Sequence, residues 1–266
     1  MENPIRRNRN IGTSKQGHGQ NNKLVIPWVA SAMKSFDERL GNYTKDYRTV
    51  NGNRFEFVIE ETRVDSKHAC TVDDIAEILR HVNPKDYGRL NLVILRQPKR
   101  KEEILSSVWG RLTYSYSFEK DYRPAIILEA ISIDKKLKWS TSLSPDGTKE
   151  FERLKDDGHK IVRENKKYVI SCTLESVRST QLYRTLPHEI GHYKHFLELV
   201  GELDDDITDE SFEERDKRLA SYHALETSIK EKYAHNYADG FKAMLEISRA
   251  IPFDRIEKNP NQYVPE

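Results

Sequence analysis

An α+β fold is expected for this chain of 266 residues, on two observations. Segments that alternate apolar and polar residues fill the first two thirds. Helical periodicity takes over after about residue 175, and strands first with helices later is the α+β pattern. At ~150 residues per domain the length allows one large domain or two small ones, and it suffices for a buried core. Charged residues make up 33% of the chain and hydrophobic residues 36%, so a very polar, soluble chain is expected. No apolar run approaches the ~18 residues that cross a bilayer, and no membrane span is expected. The most apolar stretch, Leu24 to Met33, is cut by Pro27. Lys plus Arg total 44 against 43 Asp plus Glu, a net charge of +1. A protein held on nucleic acid by bulk charge is normally more basic, so nucleic acid is not the expected partner. Cys70 and Cys172 are the only cysteines. They make no disulfide framework and fit a reducing compartment. The N-terminus lacks an apolar signal region. A cytoplasmic location is expected, with leaderless secretion left open.

Residues 1–23 read as a basic, disordered arm: Arg6, Arg7, Arg9, Lys15 and Lys23 face one acid, with almost nothing to bury. Order is expected from Leu24, in one unit over 24–266 with a strand-rich part (24–175) and a helical part (176–266). Trp28–Leu40 has helical spacing. Phe55, Phe57 and Ile59 alternate with Glu56 and Glu60, the pattern of a half-buried strand. Thr71 caps a helix whose stripe is Val72, Ile75, Ile78, Leu79 and Val82, and Asn83-Pro84 stops it. Leu92–Leu95 is a short apolar strand. Leu112, Tyr114, Tyr116 and Phe118 alternate as another, and Pro124 opens one running to Ile133. This last segment is either sheet core or an edge strand to which a substrate backbone adds. A short helix follows Pro145-Asp146-Gly147, and residues 160–164 and 167–173 form a hairpin across Asn165-Lys166. One helix covers 180–200 and ends at Gly201. An acidic loop, Glu202–Glu210, precedes a helical stretch over 211–249.

The chemistry lies in Leu186-Pro187-His188-Glu189-Ile190-Gly191-His192. Residues four apart on a helix share a face, about 6 Å apart along the axis, so His188 and His192 can both reach one tetrahedral ion. Zinc suits nitrogen and carboxylate ligands and takes three from the protein at a catalytic site. Glu189 projects about 100° round the helix, where it serves as general base without occupying the ion, the HExxH arrangement. Leu182, Leu186, Ile190, Tyr193 and Leu197 make the buried stripe. Gly191 costs a helix about 1 kcal/mol against Ala, which makes sense where something packs closely. For the third ligand, the metzincin position just beyond the motif holds His195 at the turn and Glu198 at the ligand, within continuing helix. That reading is rejected. Glu231 fits better, projecting from a second helix on which Ala234 and Ala238 permit close approach. Glu226 competes.

HEIGH followed by Glu231-x-x-Ala234-x-x-Tyr237-Ala238 resembles the gluzincin type of zinc metallopeptidase, with the spacing of the ImmA/IrrE-like and M48-like families. The resemblance covers the two motif helices, about a third of the chain. It implies a zincin-like fold, with an N-terminal mixed sheet and helices, then the HExxH helix and a C-terminal helical part. It implies His188, His192 and Glu231 as zinc ligands, Glu189 as catalytic base, and a peptide or protein as substrate. Where those families carry Asp or Asn, this chain has His235, one turn from Glu231. There it can support the site or polarise the substrate carbonyl, and His223 is the other candidate for that role. Peptide deformylases pair HExxH with a cysteine in a glycine-containing loop motif that Ser171-Cys172-Thr173-Leu174 lacks, so Cys172 is expected as a buried small residue. The function expected is hydrolysis of an amide bond. The alternatives are an inactive zinc-binding regulatory or adaptor protein and a partner- or nucleic-acid-binding protein using the basic arm.

Overall fold

The computed structural model describes residues 39–105, 109–132, 136–202 and 209–257. The chain divides into two units, Met1–Arg39 and Leu40–Glu266, and every element below belongs to the second. The basic arm over 1–23 and, but for its last two residues, the helix expected over Trp28–Leu40 lie outside the described residues.

Strands β1 (Tyr43–Val50) and β2 (Asn53–Glu60) form a hairpin closed by Asn51-Gly52, at φ 51° and 80°. Asn-Gly is the strongest short signal for such a turn. Lys45, Asp46 and Arg48 hide the alternation of β1, which the sequence pattern alone does not reveal. After the short β3 (Ser66–Lys67), helices α1 (Val72–Arg80) and α2 (Pro84–Tyr87) carry the chain to β4 (Leu92–Arg96), parallel to β2. Thr71 and Asp74 exchange hydrogen bonds of 3.0 Å in a capping box at the start of α1. Asn83 caps α2 as well as following α1. Helix α3 (Arg100–Leu105) follows β4. Next come β5 (Gly110–Phe118), β6 (Asp121–Glu129) and β7 (Ile131–Ser132).

The large sheet has the order β1-β2-β4-β6-β5, so it is mixed, and the architecture is α+β as expected. The strand expected from Pro124 is therefore internal, and its neighbour β5 is an edge, as β1 is on the other side. Pro124 lies inside β6, because the β4 ladder starts at Ala125 and the β5 ladder is irregular opposite it, between Thr113 and Tyr116. That bulge corrects a second expectation. One extra residue in β5 reverses the facing of the residues beyond it. Leu112 and Tyr114 pack with the helices, whereas Tyr116 and Phe118 join the opposite cluster with Val58, Leu92, Ile94, Ala125 and Ile127. Strand β2 is also covered on both faces rather than half-buried, since Phe57 and Val58 are both fully buried.

A smaller sheet, ordered β8-β10-β9, follows from β8 (Lys136–Ser140), β9 (Lys160–Glu164) and β10 (Lys167–Ser171). The expected hairpin across Asn165-Lys166 is its β9–β10 pair. Helix α4 (Pro145–Asp156), capped by Ser144, runs twelve residues, longer than expected. Helix α5 (Leu174–Thr180) then leads through a wide π turn, Gln181–Thr185, into α6 (Leu186–Val200). The π turn precedes Pro187, whose ring would clash in a regular helix with the carbonyl four residues earlier. Helices α7 (Asp209–Ala224) and α8 (Thr227–Ile247) break at Leu225-Glu226, where one stretch is expected. Of the acidic loop, residues 203–208 lie outside the described residues, and Asp209 and Glu210 begin α7. No helix among the described residues is long and apolar enough to cross a membrane.

A buried clamp ties the helical part to α1. Asp74 accepts two hydrogen bonds from Arg178 (3.0 and 2.8 Å) and one from the Ile256 amide (2.9 Å). Arg178 also donates to the Phe253 carbonyl. Burial raises the Asp74 pKa, but the bonds from Arg178, Ile256 and Thr71 outweigh it and hold the carboxyl below the usual range. Breaking a buried pair from one side costs about 3–5 kcal/mol. Asp74→Ala is expected to lower denaturant-derived stability by about that much near pH 7. Because the folded pKa is lowered, the contribution is full above the unfolded value of ~3.9 and disappears as pH falls through the folded value. The gap between wild type and variant should accordingly narrow in acid, and a pH-independent gap would count against the clamp.

Candidate metal centre

The π turn is pinned to the sheet through Gln181, whose Nε2 donates to the Trp109 and Glu129 carbonyls at 2.8 Å each. Leu182, Leu186, Ile190 and Tyr193 are buried against the large sheet. This orientation turns His188 and His192 toward α8. The Nε2 atoms of the two histidines lie 3.0 Å apart. The Glu231 carboxylate reaches both, with Oε2 3.3 Å from His188 Nε2 and Oε1 3.4 Å from His192 Nε2. A tetrahedral ion with ligand bonds of about 2.0–2.1 Å has edges of about 3.3–3.4 Å. The two carboxylate contacts, one from each oxygen, match those edges and the separation of the imidazole nitrogens is 0.3 Å or more shorter, and two imidazoles with a carboxylate are a donor set that suits such an ion.

A looser group adds His235. Ligand atoms of His188, Glu231 and His235 lie within 4.8 Å of one another, and the His188 and His235 rings are 4.5 Å apart. The His188–His192–Glu231 set is the tighter, with His235 beside it. Either grouping could hold a metal ion. Bonds to the two histidines hold the Glu231 carboxyl far below its usual range. Burial, reinforced by His188 and Arg153, pushes His235 down to about 4.

Close helix packing makes this convergence possible. A Cβ added to Gly191 would lie 3.0 Å from Ala234 Cα and 3.0 Å from Tyr237 Cβ. Ala234 and Ala238 are buried on the facing side of α8. Asp86 on α2 joins the two helices, accepting from Lys194 (2.7 Å) and Tyr237 (3.0 Å).

Glu189 is buried beside the histidines, and its Oε2 accepts the Leu112 amide of edge strand β5 at 2.8 Å. Burial raises its pKa. The rejected and rival ligands stand apart: α6 runs unbroken through Glu198, and His195 stacks on Tyr233. Glu226 is exposed and accepts from Ser228. His223 is exposed, and Cys172 is buried in the core of the small sheet.

Two groups near the site escape sequence reasoning. Tyr114 and Tyr222 share a 2.7 Å hydroxyl contact, and Tyr222 reaches the His192 carbonyl at 3.5 Å. Only the alternation of β5 pointed to Tyr114, and the periodicity of α7 did not single out Tyr222. Arg184, bonded to Glu150 at 2.6 and 2.7 Å and to Asp157 at 2.9 Å, lies beside His188 with no motif of its own.

The fold and the site together define an α+β protein with a candidate metal centre between two packed helices. Compared with protein-family models, curated proteins and solved structures, the chain matches none.

Proposed function

We propose that this protein is a zinc-dependent peptidase of the gluzincin type on a zincin-like fold, hydrolysing an amide bond in a peptide or protein. The observation that carries the reading is the meeting of His188, His192 and Glu231 at 3.0–3.4 Å, with Glu189 on the adjoining turn. A zinc ion held there would supply Lewis-acid activation of a water and of the scissile carbonyl. Glu189 has the base's role. The Leu112 amide holds its Oε2, leaving Oε1 to take the water proton and deliver it to the leaving amine. His235 faces the same space and donates to the oxygen on which charge develops. The outer edge of β5 runs beside Glu189, where an extended chain can lie along it.

A second reading, a zinc-binding regulatory or adaptor protein without turnover, is favoured by His235. His235 stands with His188 and Glu231 within 4.8 Å, and as a ligand added to the three above it would close the coordination, as in structural zinc sites. Metal analysis and hydrolysis separate the readings. The purified chain is expected to retain one zinc, and Glu231→Ala to lose it on dialysis. Cleavage of an unstructured protein such as casein should stop with a chelator and return with added zinc. Zinc retained without cleavage would favour the adaptor, and no zinc in the wild type would remove both readings.

A further inference from the structure

We infer that the cleft beside the metal centre selects a bulky apolar side chain, aromatic or leucine-like, next to the scissile bond, a specificity that rests on the peptidase reading above. A cavity of about 330 Å³ opens directly on His188 and Glu189, and Trp109, Leu137 and Trp139 form its apolar walls. That volume is at the small end of ligand sites, which begin at ~300 Å³.

The walls are built rather than incidental. Leu137 and Trp139 alternate on β8, so they share one face. Both are half-buried, packed on the core of the small sheet while lining the cavity. Trp109 belongs to the same core, with its ring 5.4 Å from that of His159. Glu150 and Arg184 are paired at the cavity, both Glu150 oxygens accepting from Arg184, which also bonds Asp157, while Arg184 Nη2 is buried without a hydrogen-bond partner. A basic substrate side chain would have to take Glu150 from Arg184. An apolar one gains by leaving water against three apolar walls.

Beyond His235 and Glu150 the character changes. A wider space of about 800 Å³ is lined by Asp146, Lys149, Arg153, Lys232 and Asp239. The selective position therefore lies on one side of the bond, and the other side tolerates polar residues.

The test is cleavage of a proteome-derived peptide library by the zinc-loaded full chain, with sites read by mass spectrometry. Phe, Tyr, Trp, Leu or Met should be enriched at one fixed position flanking the bond. A matched peptide with Ala there should be cut at least ~10-fold more slowly. Leu137→Lys, which places a charge in the wall, should lose at least ~10-fold in kcat/KM on the aromatic peptide and keep its zinc. Trp139→Ala is the second variant, and binding of the same peptide to the Glu189→Gln form of each gives a readout without turnover. Cleavage with no enrichment, or enrichment of Lys or Arg opposite Glu150, would overturn the inference and leave hydrolysis standing. Absence of any cleavage would overturn both.

Discussion

Glu189→Gln is expected to lower kcat/KM for peptide hydrolysis by about 10²- to 10⁴-fold, the range of a lost general base, with zinc content unchanged. Gln has the same shape as Glu and keeps an oxygen to accept the Leu112 amide, now at 2.8 Å, so edge strand and helix stay joined. It cannot take a proton. The ligands His188, His192 and Glu231 are untouched. Because proton transfer occurs on the way to the transition state, the loss should fall on kcat and leave KM nearly constant. Steady-state kinetics with parallel metal analysis provide the check. A variant that still turns over within about threefold of wild type would remove Glu189 from the chemistry.

Gly191→Val is expected to damage stability and metal binding together. The added Cβ would sit at 3.0 Å from Ala234 Cα and 3.1 Å from its carbonyl oxygen, both backbone atoms that no rotamer change can move. Valine adds two further methyl groups there. Overpacking of this kind costs about 1–3 kcal/mol. Relief requires α8 to move away from α6, and Glu231 lies one turn before Ala234 on α8. Its carboxylate would withdraw from both histidines. A fall of about 10- to 100-fold in zinc affinity is expected, the scale seen when the support of a ligand is lost. Thermal unfolding and competitive zinc titration measure the two effects. Lowered stability with unchanged zinc affinity would show that helix spacing does not set the site.

Much of the candidate site was legible because its signals are local. His188 and His192 share a face by helical period alone, and the small residues Ala234 and Ala238, with Gly191, announced two helices in close contact. The choice of Glu231 over Glu226 and Glu198 follows from the same spacing, and its carboxylate lies at both imidazoles. The helix cap at Thr71, the buried strand at Leu92–Leu95 and the hairpin across Asn165-Lys166 were legible for the same reason. The failures are non-local. Alternation through Leu112, Tyr114, Tyr116 and Phe118 predicts one face, but the bulge opposite Pro124 divides them between two. Whether β5 or β6 is the edge depends on pairing with strands far away in the chain. The Asn51-Gly52 turn was a readable signal, missed because the charges of β1 obscured its strand.

Backbone period and residue size, acting over a few neighbours, decide in this chain that two imidazoles face one way on a helix and that a later helix can approach them. Pairing order and packing decide the rest. They set the Leu112 amide against Glu189, the His235 ring over His188, and Trp109 beside Leu137 and Trp139. These groups come from segments tens of residues apart. Their meeting follows from the free energy of burying a shared core and its hydrogen bonds, which no short stretch of sequence encodes by itself.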